Sequence, residues 1–143
     1  MIRKLIFGDE LGRDEYFPET LKNSNEKYIL ATIATDKNKT IPIGSLRFFI
    51  NGPREIMISR VGVLKEFRGH GIGKDMMQLT ENIIFNSEDY SEFENIILES
   101  RFERVEFYEK IGYHAIGDFF LTQNYPHINM IKNIPSHLHK DPL

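Results

Sequence analysis

The stretch from residue 56 to residue 85 constrains the fold of this chain more than any other. It reads IMISRVGVLKEFRGHGIGKDMMQLTENIIF. Its first part, residues 56–63, is rich in β-branched residues and ends at a Lys-Glu turn, which predicts a strand. After Gly73 the apolar residues recur at a helical period, which predicts a helix ending near Phe85. The glycines between the two therefore lie where a strand connects to the N-terminus of a helix.

This position has a chemical consequence. The first N–H groups of a helix have no intrahelical partner, and the aligned peptide dipoles place roughly half a positive charge there. Glycines at Gly69, Gly71 and Gly73 allow unusual φ values and let a ligand approach without a Cβ in the way. Together these features favour the binding of phosphate oxygens.

Two better-known phosphate loops do not fit the stretch. A P-loop needs a glycine where Arg68 stands and a Ser or Thr where Asp75 follows Lys74. A dinucleotide fingerprint that starts at Gly69 would place Lys74 at its last glycine position. At this point a glycine-rich turn that only connects strand to helix remains the alternative.

Three ordered segments resemble the GCN5-related N-acetyltransferase (GNAT) superfamily. Val61-Gly62-Val63 followed by Arg68-x-x-Gly71-x-Gly73 is similar to the family's acyl-CoA motif, [QR]-x-x-G-x-[GA]. EFYEKIGY at residues 106–113 resembles the family's FYEKLGF segment, and PHINM at residues 126–130 resembles its PHxxM strand. The matches run from position 61 to position 130, which is about half of the chain.

The resemblance implies an α+β fold, a mixed α/β sandwich whose mostly antiparallel sheet carries two main helices. It also implies that the strands ending at Val63 and Leu98 run parallel and splay apart. The residue patterns predict a compatible order of elements. In the N-terminal half they predict a first strand at 2–7, one or two short helices within 8–25, and a meander of strands at 27–35, 40–50 and 54–63 that leads into the central helix. In the C-terminal half they predict a short strand at 95–98, a second helix, and strands at 113–120 and 128–134. Gly112 is expected to stop the second helix as its C′ residue. We expect one domain over residues 1–143 with a polar, frayed tail from 135 to 143.

The resemblance further implies a binding site for acetyl-CoA. Amides between Arg68 and Lys74 would hold the pyrophosphate, and the backbone of Val61 and Val63 would bind pantetheine. The Val63 N–H would stabilise the oxyanion that forms at the thioester carbonyl. The residues assigned to this site are Val61, Gly62, Val63, Arg68, Gly69, His70, Gly71, Ile72, Gly73, Lys74, Arg101 and Tyr108.

The catalytic assignments rest on the same resemblance. Tyr108 lies where relatives place a tyrosine that protonates the departing thiolate; the alternative is a tyrosine packed in the core. By strict strand alternation, Val61, Ser59 and Met57 share the orientation of Val63, and none of them is an acid. Glu99 and His127 are therefore candidates for the general base on position alone. A water relay, or an amine that loses its proton to solvent, would need neither.

Composition excludes several classes of function. With no cysteine the chain can form neither thiolate metal sites nor a covalent cysteine intermediate. A formal net charge of −3 does not indicate binding to nucleic acid or to a membrane surface. The apolar run at residues 5–7 is too short for a signal peptide or a membrane span, so we expect a cytoplasmic protein. His137 and His139 lie in the tail and make a poor metal site, so we expect no metal.

We therefore expect an acyl-CoA-dependent N-acyltransferase that moves an acetyl group to a primary amine by direct attack in a ternary complex. A homodimer is one way to complete an acceptor pocket that the short N-terminal segment leaves small. The alternative is a non-catalytic acyl-CoA sensor or interaction module. A nucleotide-binding protein that uses residues 69–74 is disfavoured by the missing Ser or Thr after Lys74. The acceptor amine and the acyl chain length stay open.

Overall fold

The computed structural model describes residues 3–8, 26–35, 37 and 39–135, with residues 3–8 described through their backbone. The chain groups into two units, Met1–Ile50 with Ser59–Ile83 and Asn51–Ile58 with Ile84–Leu143. The predicted helices within 8–25 and the predicted tail from 136 onward lie outside the described residues. No helix within the described ranges is long and apolar enough to cross a membrane.

The first unit contains an antiparallel meander. Its strands are β1 (Arg3–Gly8), β2 (Lys27–Ala34), β3 (Thr40–Ile50) and the second half of β4 (Glu55–Val63), in the order β1-β2-β3-β4. β2 pairs antiparallel with both β1 and β3, and a bulge lies between Ala31 and Thr32. At the end of β4, the Leu64 N–H donates to the Ile43 carbonyl at 2.8 Å. The predicted strands are confirmed, each within one residue at either end.

Helix α1 (Ile72–Asn86) follows β4 and begins one residue before Gly73. Met76, Met77 and Thr80 on α1 are fully buried. A Cβ on Gly44 of β3 would lie 3.2 Å from Met76 Cε and 3.1 Å from the Gly62 carbonyl oxygen, so the glycine lets the methionine approach the strand closely. The buried sheet residues of this unit include Ile29, Ala31, Ile33, Ile43, Leu46 and Phe48.

The second unit contains a mixed sheet. The first half of β4 is followed by β5 (Asn95–Arg101), β6 (His114–Thr122) and β7 (Tyr125–Asn133), in the order β4-β5-β7-β6. β4 and β5 run parallel, and β7 pairs antiparallel with β5 and β6. The parallel ladder covers three pairs, from Glu55 opposite Asn95 to Met57 opposite Ile97. The predicted class, a mostly antiparallel mixed sheet with two main helices, is confirmed.

Helix α2 (Val105–Lys110) follows a short 3₁₀ turn at Phe102–Arg104. It ends in a Schellman motif: the Tyr113 N–H donates to the Tyr108 carbonyl and the Gly112 N–H to the Glu109 carbonyl, both at 3.1 Å. Gly112 has a φ of 104°, which only glycine adopts without strain. The prediction that Gly112 stops this helix is confirmed.

The remaining differences between the predicted and the observed elements lie at the ends of strands. β5 was predicted at 95–98 but continues to Arg101, because its polar residues still pair with β7. β6 and β7 meet in a two-residue turn at Gln123 and Asn124, both with positive φ, so β6 ends later and β7 starts earlier than predicted. Neither residue is a glycine, so the sequence carries little signal for this turn.

Candidate functional site

The glycine turn of the first unit has an open backbone at the start of α1. Gly69 and Gly71 have φ values of 84° and 79°, and a Cβ built on either would meet nothing within 4 Å. The Asp75 N–H donates to the Gly71 carbonyl at 2.9 Å, which is the first hydrogen bond of the helix. The amides of residues 72–74 precede that bond and have no carbonyl behind them in the helix.

The side chains of this turn differ in their surroundings. Ile72 is buried, so only its backbone can contribute to binding, whereas His70 and Lys74 are exposed. Gly73 does not need the unusual φ expected for it, because it is the second residue of α1. Of the three glycines, Gly69 and Gly71 are therefore the two that adopt the unusual φ values expected from the sequence.

Arg68 connects the turn to the end of β4. Its Nε donates to the Val63 carbonyl at 2.9 Å. An arginine with Nε committed in this way holds the strand end and the turn together, in addition to any charge it brings to a phosphate.

The backbone of β4 changes direction before the Val61–Val63 segment. Arg60 has a φ of 57°, in the left-handed region that non-glycine residues rarely occupy. The regular strand conformation of β4 is therefore interrupted at Arg60, and the shared orientation of Met57, Ser59 and Val63 stays a prediction. After Arg60, N–H directions alternate again; since Leu64 donates toward β3, the Val63 N–H points away from β3.

Tyr108 is buried in the second unit. It is 7% exposed, and its ring lies edge-on to Phe107 at 4.9 Å and to Tyr113 at 6.1 Å. Burial raises the pKa of its hydroxyl to about 12, an effect that nearby Arg104 partly opposes. The side chain is therefore a neutral phenol at physiological pH and retains a proton to donate.

His127 has a defined tautomer. Its Nδ1 lies 2.8 Å from the Tyr125 carbonyl oxygen, and a carbonyl can only accept, so the proton of the neutral ring sits on Nδ1. The ring stacks on Phe120 with an interplanar angle of 25°. Nε2 is then the nitrogen with a lone pair, as a general base requires.

Arg101 and Glu99 occupy the end of β5. Arg101 pairs in register with His127, and its guanidinium lies 4.6 Å above the Tyr125 ring and 3.6 Å from the Glu103 carboxylate. The Tyr125 hydroxyl donates to Glu103 at 2.7 Å, which lowers the pKa of that carboxyl. Glu99 is exposed and lies opposite Asn129. Arg101 is therefore already engaged with this exposed cluster.

A partly buried polar network in the first unit was not found by the sequence analysis. The Glu26 carboxylate accepts from Tyr28 at 3.0 Å and from Arg47 at 2.7 Å, and Arg47 Nε donates to Ser59 Oγ at 2.7 Å. Burial and the Glu26 carboxylate raise the pKa of Tyr28 to about 12. The signal available was Arg47, a charge inside an otherwise apolar strand pattern.

Metal ligands do not gather in the part of the chain that the structure describes. Within those ranges there is no group of three or more His, Asp or Glu side chains placed to hold a metal ion.

Comparison with known proteins identifies the family. A model of the acetyltransferase (GNAT) domain matches residues 10–134. A candidate acetyltransferase of Bacillus subtilis (strain 168) is 29% identical over 140 residues, covering 96% of this chain and 88% of that protein. The chain therefore belongs to the GNAT family, and its class of enzyme is N-acetyltransferase.

Solved structures share the fold. A candidate N-acetyltransferase from Lactobacillus plantarum superposes with a TM-score of 0.71 at 20% identity, covering 94% of this chain and 100% of that one. An aminoglycoside 6′-N-acetyltransferase in complex with coenzyme A has a TM-score of 0.57 at 20% identity, covering 85% and 83%. At this level of identity the likeness establishes the fold alone.

Proposed function

We propose that this protein transfers an acetyl group from acetyl-CoA to a primary amine by direct attack in a ternary complex. The observation that carries the proposal is the turn at Gly69 and Gly71, whose positive φ values open unobstructed backbone at the start of α1. The turn carries the acyl-CoA motif of the family to which the chain belongs, and a solved relative is complexed with coenzyme A.

In this proposal the turn binds the pyrophosphate through the amides of residues 69–74, and Lys74 adds positive charge. Arg68 holds the Val63 carbonyl and so fixes the end of β4 against the turn. The Val61–Val63 backbone would pair with pantetheine in the manner of an added strand. Since the Val63 N–H points away from β3, it is available to a ligand on that side of the strand.

The chemistry follows from these roles. The amine nitrogen attacks the thioester carbonyl carbon, the carbon–sulfur bond breaks, and the amide product and free CoA result. The Val63 N–H would stabilise the developing oxyanion, a contact whose loss typically costs about 3 kcal/mol of barrier. Tyr108, whose hydroxyl is protonated at neutral pH, would protonate the departing thiolate.

His127 is the stronger of the two candidate bases. The hydrogen bond from Nδ1 to the Tyr125 carbonyl leaves Nε2 able to take a proton from the acceptor's ammonium group, which gives the neutral amine that attacks. Glu99 is exposed on β5, and a water relay would need neither side chain. A cytoplasmic location and a homodimer belong to the same proposal as expectations from the sequence.

A ligand comparison followed by an acceptor screen tests the function. Acetyl-CoA at about 100 times its dissociation constant should stabilise the protein by about 2.7 kcal/mol, which thermal shift detects, whereas ATP and NAD should not. A panel of primary amines should then release free CoA from acetyl-CoA. Stabilisation by acetyl-CoA without CoA release from any amine would favour the sensor instead.

Mass spectrometry tests the direct mechanism. After incubation with acetyl-CoA alone, the intact protein should keep its mass, because the chain has no cysteine to acylate. A stoichiometric adduct that an amine then removes would show a covalent intermediate and exclude direct attack.

A further inference from the structure

The part of β4 that is assigned to pantetheine begins at a strained residue. Arg60 has a φ of 57°, a backbone conformation that costs free energy for a residue such as arginine. A conformation of this kind persists only where the surrounding structure holds it in place. The contacts on either side of Arg60 therefore decide where the Val61–Val63 backbone lies.

Two hydrogen bonds hold the C-terminal end of this segment. The Leu64 N–H donates to the Ile43 carbonyl at 2.8 Å. The Val63 carbonyl accepts from Arg68 Nε at 2.9 Å. Both contacts come after Arg60 in the chain, so they do not fix the strand where it enters the left-handed residue.

A side-chain contact holds the strand on the other side of Arg60. Ser59 comes directly before Arg60, and its Oγ accepts a hydrogen bond from Arg47 Nε at 2.7 Å. Nη1 of the same guanidinium donates to the Glu26 carboxylate, also at 2.7 Å. The side chains of Arg47 and Glu26 are only 15% and 8% exposed. Because the carboxylate fixes the guanidinium on one side, Arg47 is a rigid donor to the serine on the other.

Stability alone does not account for this arrangement. Burying an ion pair removes both charges from water, and apolar side chains of similar size often stabilise a fold as well or better. Leu46 and Phe48, the neighbours of Arg47 on β3, are fully buried apolar residues. The guanidinium differs from them in giving two directed hydrogen bonds in a fixed planar geometry. Such a group specifies the position of the strand that it contacts.

We propose that Arg47 and Ser59 are positioning residues, which hold β4 directly before Arg60 so that the Val61–Val63 backbone lies where pantetheine pairs with it. All of these residues belong to the first unit. The inference rests on the proposed function, because it takes pantetheine to bind along this segment. It deepens that function by adding two residues that act on coenzyme A through the backbone of β4.

Calorimetric titration with two ligands tests the inference. CoA carries pantetheine, whereas 3′-phosphoadenosine 5′-diphosphate is the part of CoA that lacks pantetheine and keeps the pyrophosphate. Ser59→Ala removes the oxygen that accepts from Arg47, so it should weaken CoA binding about tenfold, as the loss of one backbone hydrogen bond to a ligand would. The affinity for the smaller ligand should stay within about twofold of wild type, because a folded glycine turn still binds its pyrophosphate. Ser59→Thr keeps a hydroxyl on the same carbon and should bind CoA as the wild type does.

The outcomes separate this inference from the proposed function. A wild-type protein that binds neither ligand would overturn the proposed function. Unchanged CoA affinity in Ser59→Ala, or an equal loss of affinity for the two ligands, would overturn the positioning role alone. A loss in Ser59→Thr as large as that in Ser59→Ala would do the same.

A double-mutant cycle tests whether the two residues act through their hydrogen bond. Arg47→Lys keeps a positive charge beside Glu26 but lacks the planar fork that serves two partners, so it should also weaken CoA binding more than binding of the smaller ligand. Combining Arg47→Lys with Ser59→Ala should add no further loss, because each change removes the same contact. Additive losses would mean that the two residues act separately and would contradict the inference.

Thr80→Val is the matched control in the same unit. Thr80 is fully buried, and its Oγ1 donates to the Met76 carbonyl at 2.8 Å within α1. The variant therefore removes a buried hydroxyl from α1 and not from β4, and it should leave the CoA affinity unchanged even if the protein is less stable. A tenfold loss of CoA affinity in Thr80→Val would show that any lost hydroxyl in this unit has the effect, which would overturn the assignment to Arg47 and Ser59.

Discussion

Tyr108 is the residue whose chemistry can be tested most directly. Tyr108→Phe keeps the ring between Phe107 and Tyr113 but removes the hydroxyl. If the hydroxyl protonates the thiolate, kcat should fall roughly 10²–10⁴-fold. The affinity for acetyl-CoA should stay nearly unchanged, because binding rests on backbone amides elsewhere. Steady-state kinetics with an identified acceptor measures both quantities.

The control for this variant is a second thioester substrate with a different leaving group. A thioester whose thiolate is less basic needs the proton less, so the defect of Tyr108→Phe should shrink with it. A kcat within about twofold of wild type, with chemistry shown to limit the rate, would make Tyr108 a core residue only.

Some single residues of the fold could be predicted from the sequence, and others could not. Gly69, Gly71 and Gly112 were found because a turn or a helix end leaves a local pattern of short range. The ion pair of Glu26 with Arg47 was not found, because its partners are 21 positions apart and only the pairing of β2 with β3 brings them together. The left-handed Arg60 was missed for a different reason, since arginine carries no signal for that conformation.

At the scale of elements, the glycine turn makes the sharpest prediction. Gly71→Asp would place a carboxylate at the pyrophosphate site and should weaken CoA binding roughly 100-fold or more, since like charges in contact cost several kcal/mol. The substitution strains the backbone, because Gly71 has a φ of 79°, but the space around it is open and adds no clash, so the protein should stay folded. Titration calorimetry measures the affinity, and circular dichroism checks the fold.

Gly117→Asp is the matched control for the turn. Gly117 has a φ of 75°, close to the 79° of Gly71, and its Cβ position is equally unobstructed, but it lies on β6. The two variants therefore carry the same backbone strain and the same added charge. Unchanged CoA affinity in Gly71→Asp, or an equal loss in Gly117→Asp, would contradict the assignment of the phosphate site to the turn.

Whole elements were predicted better than their ends. The apolar periods of β2, β3 and α1 are long and regular, so their positions followed from the sequence within a residue. The end of β5 did not, because Glu99, Ser100 and Arg101 are placed in the strand by their pairing with β7 and not by their own preference. The pattern of apolar residues in a sequence indicates which positions are buried. The end of a strand depends instead on how far the neighbouring strand continues to pair with it.

For the molecule as a whole, buried tyrosines link stability to alkaline pH. The pKa of Tyr108 is about 12 in the folded state and about 10 when unfolded. Since the folded pKa is the higher one, the unfolded state loses its proton first as pH rises. The stabilisation is fully present below pH 10 and is lost between about pH 10 and 12.

The difference between wild type and Tyr108→Phe isolates this effect from other titrating groups. Below pH 10 the gap in free energy of unfolding should be constant. Between about pH 10 and 12 the wild type should lose stability relative to Tyr108→Phe by about 2–3 kcal/mol, since one pKa unit corresponds to about 1.4 kcal/mol. Denaturant titrations across this range measure the gap. A gap independent of pH would mean that the hydroxyl is not shielded from water.

The network of Glu26, Tyr28, Arg47 and Ser59 also bears on how the strands find one another. Tyr28 lies directly opposite Arg47 in the β2–β3 ladder, and Arg47 reaches Ser59 on β4. If β3 slipped by one residue, Arg47 would turn to the opposite face and leave the Glu26 carboxylate without its guanidinium. Most apolar contacts tolerate such a slip better than a buried charge does. The network therefore fits one alignment of these three strands, the alignment in which β4 ends at Val63.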